Sequence, residues 1–206
     1  MLQPAGPAAR EIANLWWGMF AFAALVFFGV VVAWLVAVLR PHRERSEAQE
    51  KRIARRWVLF GLLLPSASVA LLLAFGIPAG HRLLPLPLDG GEPLRVEVTA
   101  RQWQWQVRYP GYAAVLVDEL RLPAGRPVDV HVGSADVIHS FWIPRLGGKI
   151  DAVPGRTNVV RLQADAPGEF RGQCAEFCGR DHALMVLRVE ALDAAEFDAW
   201  LAGEAR

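Results

Sequence analysis

Two thiols, an imidazole and a thioether fall within twelve positions in the stretch GQCAEFCGRDHALM, residues 172–185. Cys174 and Cys178 are the only cysteines of the chain. With His182 and Met185 they read C-x3-C-x3-H-x2-M, with glycines at 172 and 179 that let a tight loop turn all four inward. In an oxidising compartment the plain use of two cysteines is a disulfide. The neighbours argue for a metal instead. Two Cys and a His suit zinc, but zinc has little use for a thioether. Thiolate, imidazole and thioether together are a copper set of the electron-transfer kind.

A single copper of that kind takes one thiolate, two histidines and a weak axial ligand. Two thiolates can instead bridge two ions, each of which then needs its own terminal ligand. His182 supplies one, and the other must come from His81, His131 or His139. His131 alternates with Val130 and Val132 and reads as strand surface, and His81 lies beside an apolar run. His139 leaves a strand-like run at a loop in SADVIHSFWIPRLGGKIDAVPGR and is the better candidate. No acid–base pair or nucleophile–base pair stands out near these residues.

Ligands of this sort need a rigid frame, and residues 94–206 have the texture of one. Short alternating runs (RVEVTARQWQWQVRY, RPVDVHV, TNVVRLQA, LMVLRVEAL) are separated by turn signals such as PGY, PAGRP, GGK, PGR and APGE. That spacing predicts an all-β sandwich or barrel. The tail LDAAEFDAWLAG reads as one amphipathic helix with Phe197, Trp200 and Leu201 on one face. In the run 101–109, alternation places Trp103 and Trp105 on one strand face, in a core or an interface. From Leu94 onward the chain carries 13 Lys/Arg against 15 Asp/Glu, a formal charge of −2, which excludes an electrostatic nucleic-acid binder.

The chain is 53% hydrophobic, and much of that is concentrated near its start. After a short N-terminal segment (1–14), residues 15–39 are uncharged and span about 37 Å as a helix, more than the roughly 30 Å of a bilayer core. The run is too long for a signal-peptide core and ends in Arg40 and Pro41 rather than at a small-residue cleavage site. Residues 57–77 form a second uncharged run, and Pro65 within it is a kink site that membrane helices tolerate. The intervening loop, 40–56, holds seven Lys/Arg, against one Arg before the first run. The positive-inside rule puts this loop in the cytoplasm and both termini on the far side. Residues 78–93 are a Pro/Leu/Gly linker.

Four motifs, RQWQWQVRY (101–109), DVIHSFWIP (136–144), GGKIDAVPGRTN (147–158) and GQCAEFCGRDHALM (172–185), together with the two apolar runs, resemble subunit II of haem–copper cytochrome c oxidase. The resemblance implies a Greek-key cupredoxin domain held by a transmembrane helical hairpin. It also implies a dinuclear CuA centre. The ligands carried over are His139 and His182 as terminal ligands, Cys174 and Cys178 as bridges, Met185 as weak thioether and the Glu176 carbonyl. The Glu176 side chain would face a Mg²⁺ shared with subunit I. Trp103 would be the point where electrons enter from a c-type cytochrome.

Further implications are haem of subunit I as acceptor, reduction of oxygen to water coupled to proton translocation, a subunit III neighbour, and a cell (inner) membrane location with the copper domain periplasmic. Some positions depart from the family pattern. Gln104 and Arg108 stand where acids and aromatics are common, so the docking surface is expected to be less acidic, unless Asp118, Glu119 and Asp136 gather round Trp103. RIARRWV replaces an acid at the start of the second helix, so no proton role is carried over there. No C-x-x-C-H is present, and no covalent haem is expected. The rivals are a related oxidase or nitric oxide reductase subunit with another donor, and a membrane-anchored copper carrier or disulfide domain. The quinol-oxidase form of the subunit lacks the copper ligands and fits less well.

Overall fold

The computed structural model describes residues 3–41, 46–88 and 91–204. The described residues up to Ala13 join those from Leu83 onward in one compact unit, and Asn14–Arg82 make the other.

The first unit is a sandwich of two five-stranded sheets. Its strands are β1 (Leu94–Arg101), β2 (Gln104–Arg108), β3 (Val115–Val117), β4 (Glu119–Pro123), β5 (Val128–Ser134), β6 (His139–Trp142), β7 (Ile150–Ala152), β8 (Asn158–Leu162), β9 (Gly168–Cys174) and β10 (Val186–Leu192). One sheet runs β3-β2-β1-β5-β8 and the other β4-β10-β9-β6-β7. Neighbours pair antiparallel except β1 with β5 and β4 with β10. A parallel pair cannot be closed by a tight turn, so chain between its members must cross elsewhere. Between β1 and β5 that chain supplies β2 and β3 of the same sheet and β4 of the opposite one.

Period-2 alternation fills the space between the sheets. Val96, Val98 and Ala100 of β1 and Val128, Val130 and Val132 of β5 face inward, meeting Leu120, Leu122, Phe141, Leu187 and Val189. Helix Ala194–Gly203 closes one end, with Phe197 and Leu201 buried as the amphipathic pattern predicts. There Tyr109 packs edge-on against Trp200, while its hydroxyl accepts the Arg121 N–H and donates to the Arg121 carbonyl.

The short N-terminal segment is part of this unit. The Ala5 N–H donates to the Arg145 carbonyl at 2.8 Å, and its carbonyl accepts the Asp165 N–H at 2.8 Å. Arg10 forms an ion pair with Asp165. Gly6 lies so close to the Gln163 carbonyl that any side chain there would overlap it.

Two helices, α1 (Pro7–Leu39) and α2 (Glu47–Arg82), carry the apolar runs, and both are long and apolar enough to cross a membrane. Both exceed the uncharged stretches. Much of the 40–56 segment is helical, because EAQEKRIARR consists mostly of good helix formers. Ser46 and Gln49 start α2 as a capping pair, the Ser46 N–H donating to Gln49 Oε1 at 3.2 Å. Residues 42–45 of that segment lie outside the described residues, as do 89 and 90 of the linker. At its far end α2 continues through Pro65 and Pro78 to Arg82, so the expected linker begins inside the helix.

Candidate metal centre

Three adjacent strands bring the candidate ligands to one end of a sheet. Cys174 ends β9, directly opposite Phe141 of β6, and its N–H donates to the Met185 carbonyl at 2.9 Å. His139 opens β6 on the same inward face as Phe141, and Met185 immediately precedes β10. The Ala175 N–H donates to the Ser140 carbonyl at 2.9 Å, tying the start of the cysteine loop to the histidine strand. A 3-10 turn, His182–Leu184, carries the second imidazole back to the thiols.

The side-chain atoms converge in two lobes. Around Cys174 Sγ lie His139 Nδ1 at 3.9 Å and the Glu176 carbonyl at 3.2 Å. Around Cys178 Sγ lie His182 Nδ1 at 3.6 Å and Met185 Sδ at 3.9 Å. The sulfurs are 3.8 Å apart, far beyond a disulfide bond of about 2.05 Å, and both cysteines are free. An ion with metal–sulfur bonds of about 2.3 Å reaches both sulfurs across that gap. The ligand atoms of His139, Cys174 and Cys178 all lie within 4.8 Å of one another. The donor set therefore fits a thiolate-bound metal ion. His131 is half-buried on β5 opposite Glu97 and Val159, away from this group of ligand atoms.

Burial and the neighbouring Cys174 push the Cys178 thiol up to about 12. Metal-free, Cys178 keeps its proton, and a metal binding that thiol must release it. His139 is fully buried, its ring 6.2 Å from that of Trp105 in an edge-on contact. Its Nε2 lies 2.9 Å from Asp136 Oδ1. Burial works to raise the Asp136 carboxyl, but the Gln102 N–H, the His139 ring and the Val137 N–H hold it down at about 2. An ionised carboxylate can only accept, so Nε2 carries a hydrogen, and Nδ1 is the ring nitrogen that faces Cys174.

Asp136 is a site residue whose role the spacing alone did not reveal. Its signal was the D-x-x-H stretch before β6, which is equally ordinary as a loop acid.

The tryptophans separate. Gln102 and Trp103 form the turn between β1 and β2, so Trp103 does not share a strand face with Trp105. Trp105 is fully buried, whereas Trp103 is half-buried above the cysteine loop. Its indole N–H donates to the Cys178 carbonyl at 3.3 Å, and the Arg180 guanidinium lies 5.4 Å from its ring centre. The acids do not gather round it as a group. Asp118 accepts the Trp105 N–H and Glu119 pairs with Arg121, leaving Asp136 beside the turn. The Glu176 carboxylate is exposed and 3.6 Å from Lys149 Nζ, which also meets Asp151 at 3.2 Å.

A Greek-key sandwich with a thiol, imidazole and thioether cluster at one end of its strands defines a cupredoxin-type metal domain. Residues 116–192 match the family model described as cytochrome c oxidase subunit II, periplasmic domain. The chain is 33% identical over 208 residues to cytochrome c oxidase subunit 2 of Alkalihalophilus pseudofirmus, covering 98% of this chain and 61% of that one. It is 28% identical over 208 residues to quinol oxidase subunit 2 of Bacillus cereus, covering 98% and 71%. The crystal structure of the periplasmic domain of subunit II of cytochrome oxidase of Bradyrhizobium japonicum is 33% identical, with a TM-score of 0.52, covering 55% of this chain and 95% of that domain. The chain belongs to the cytochrome oxidase subunit II family. It spans 61% of the length of the Alkalihalophilus relative.

Proposed function

We propose that the chain is the electron-transfer subunit of a respiratory haem–copper terminal oxidase. It receives electrons from a c-type cytochrome and passes them to haem in subunit I, where oxygen is reduced to water with proton translocation. The observation that carries this reading is the two-lobed donor set, in which each thiol sulfur has its own imidazole and one further weak donor. Two lobes sharing a sulfur pair call for two ions rather than one. Two coppers bridged by thiolates exchange a single electron with little change in geometry. The same donor set favours this reading over a quinol-oxidising subunit, which has no use for a buried thiol pair.

The protein's part is to hold the donors still. Strands β6 and β9 fix His139 and Cys174, and Asp136 sets the His139 tautomer. Trp103 bridges the surface and the Cys178 carbonyl and is assigned as the point where electrons enter. The Glu176 carbonyl is assigned to copper and its carboxylate to a Mg²⁺ shared with subunit I. Subunit III is a further neighbour in the assembly. The apolar helices anchor the chain in the cell membrane, with the Arg/Lys-rich 40–56 segment cytoplasmic and the metal domain periplasmic.

Copper analysis of the purified full-length chain, with its electron spin resonance, tests this. Two coppers per chain and one electron shared between them are expected. Saturation at one copper would overturn the dinuclear reading.

A further inference from the structure

The cysteine loop is bonded to the strands at its ends, through Cys174 to Met185 and Ala175 to Ser140. Between Phe177 and Arg180, among the described residues, the hydrogen bonds that reach another part of the domain are those accepted by the Cys178 carbonyl. Gln102 Nε2 donates to it at 2.7 Å, and Trp103 Nε1 at 3.3 Å. The same Gln102 uses its main-chain N–H on Asp136 Oδ2, at 2.7 Å, while Asp136 Oδ1 meets His139 Nε2 at 2.9 Å. One residue of the β1–β2 turn thus joins a loop 76 positions away to the orienting carboxylate of a histidine.

We propose that Gln102 is a positioning residue of the metal centre, a clasp that fixes Cys178 and His139 relative to each other through one side-chain and one main-chain hydrogen bond.

The inference deepens the copper reading above and rests on it for one of its two readouts. Three features support it. A carbonyl can only accept, so the amide must present its NH₂, and no other common side chain of that length and charge would serve. Gly179 follows Cys178 with φ +117°, and a Cβ there would come within 3.1 Å of Gln102 Nε2 and 3.3 Å of Trp103 Cζ2. The backbone is therefore shaped to admit the amide. Lastly, the chain of bonds closes on itself. From His139 it passes through Asp136 and Gln102 to Cys178, and returns through the 3.8 Å sulfur pair and the 3.9 Å Cys174–His139 approach. Outer partners of ligands hold ligand geometry, and losing one typically costs about 10- to 100-fold in metal affinity.

The test uses the full-length chain in detergent, first metal-free and then loaded with copper. Without metal, Gln102→Leu should speed amide hydrogen exchange across residues 176–184 by about tenfold or more, because the loop loses its central tie. Gln104→Leu, at an exposed position of the same hairpin, should leave it unchanged. With copper, release to a chelator should be about 10- to 100-fold faster in Gln102→Leu, with an altered thiolate-to-copper absorption band. Gln102→Glu keeps the shape but turns a carboxylate on a carbonyl, and should match Gln102→Leu in both readouts. Loop exchange and copper release within twofold of wild type in both Gln102 variants would overturn the clasp. A wild-type chain that takes up no copper pair, while Gln102→Leu still loosens the metal-free loop, would overturn the copper reading and support the clasp.

Discussion

His139 and His182 offer the same imidazole to the same sulfur pair, yet the protein holds them in opposite ways. His139 opens a strand, is fully buried, packs against Trp105 and is oriented by Asp136. His182 sits in a single 3-10 turn, half-exposed, beside the exposed Phe177 ring, and among the described residues no carboxylate bonds it. A strand ligand is positioned by the sheet register, and its freedom is gone before metal arrives. A ligand on a turn is positioned by a few local bonds, here His182 N–H to the Gly179 carbonyl and Met185 N–H to the His182 carbonyl. One lobe belongs to the scaffold and the other to the loop. The relay proposed above would draw on both, since rigidity limits rearrangement while the loop side lies nearest the surface.

The largest expected effect erases the comparison altogether. Cys174→Ser or Cys178→Ser removes one of the two sulfurs proposed to bridge the lobes, so the shared-electron resonance should vanish in either variant. A retained two-copper spectrum in either would mean that the thiols do not bridge.

The histidines should then divide the lobes. His139→Ala opens a cavity in the core and takes one of its partners from the Asp136 carboxylate, so it should cost about 2–4 kcal/mol of stability as well as copper. His182→Ala should lose copper with a melting temperature near wild type. Equal melting temperatures for the two variants would show that burial of His139 does not distinguish them.

Trp103→Ala probes the loop side. Reduction by cytochrome c should slow by an order of magnitude or more while copper content and spectrum stay normal, and stability should fall far less than for truncation of the buried Trp105. The salt dependence of that reduction should be shallow. The domain carries a formal charge of −2, and Arg180 rather than a cluster of acids faces the Trp103 ring. Normal reduction with early melting would make Trp103 a packing residue.

The smallest effect is expected from Met185→Leu, which keeps volume in a buried position and removes only a weak ligand. Both coppers should stay and the reduction potential should move. Copper loss as complete as in the cysteine variants would put Met185 among the structural ligands.

Much of this molecule was legible one segment at a time. The C-x3-C-x3-H-x2-M spacing, the alternating runs and the two apolar stretches are local patterns, and the loop, the strands and the long helices follow them because side-chain period and helix propensity act over a few residues. Even the choice of His139 over His131 rested on local texture, since a histidine that alternates within a strand faces outward while one at its opening can turn inward. Other features are decided only when distant segments meet. Trp103 reads as a strand residue, but sheet pairing makes 102 and 103 the turn and sends Trp105 alone to the core. The bond from Gln102 to Cys178 joins residues 76 apart, that from Gln102 to Asp136 joins residues 34 apart, and the N-terminal segment bonds Asp165 across 155 positions. No periodicity encodes such pairs, because each depends on the register of strands lying between its partners. The donor types were thus set by the amino acids themselves, whereas their division into a rigid lobe and a loop lobe is a property of the packed sandwich.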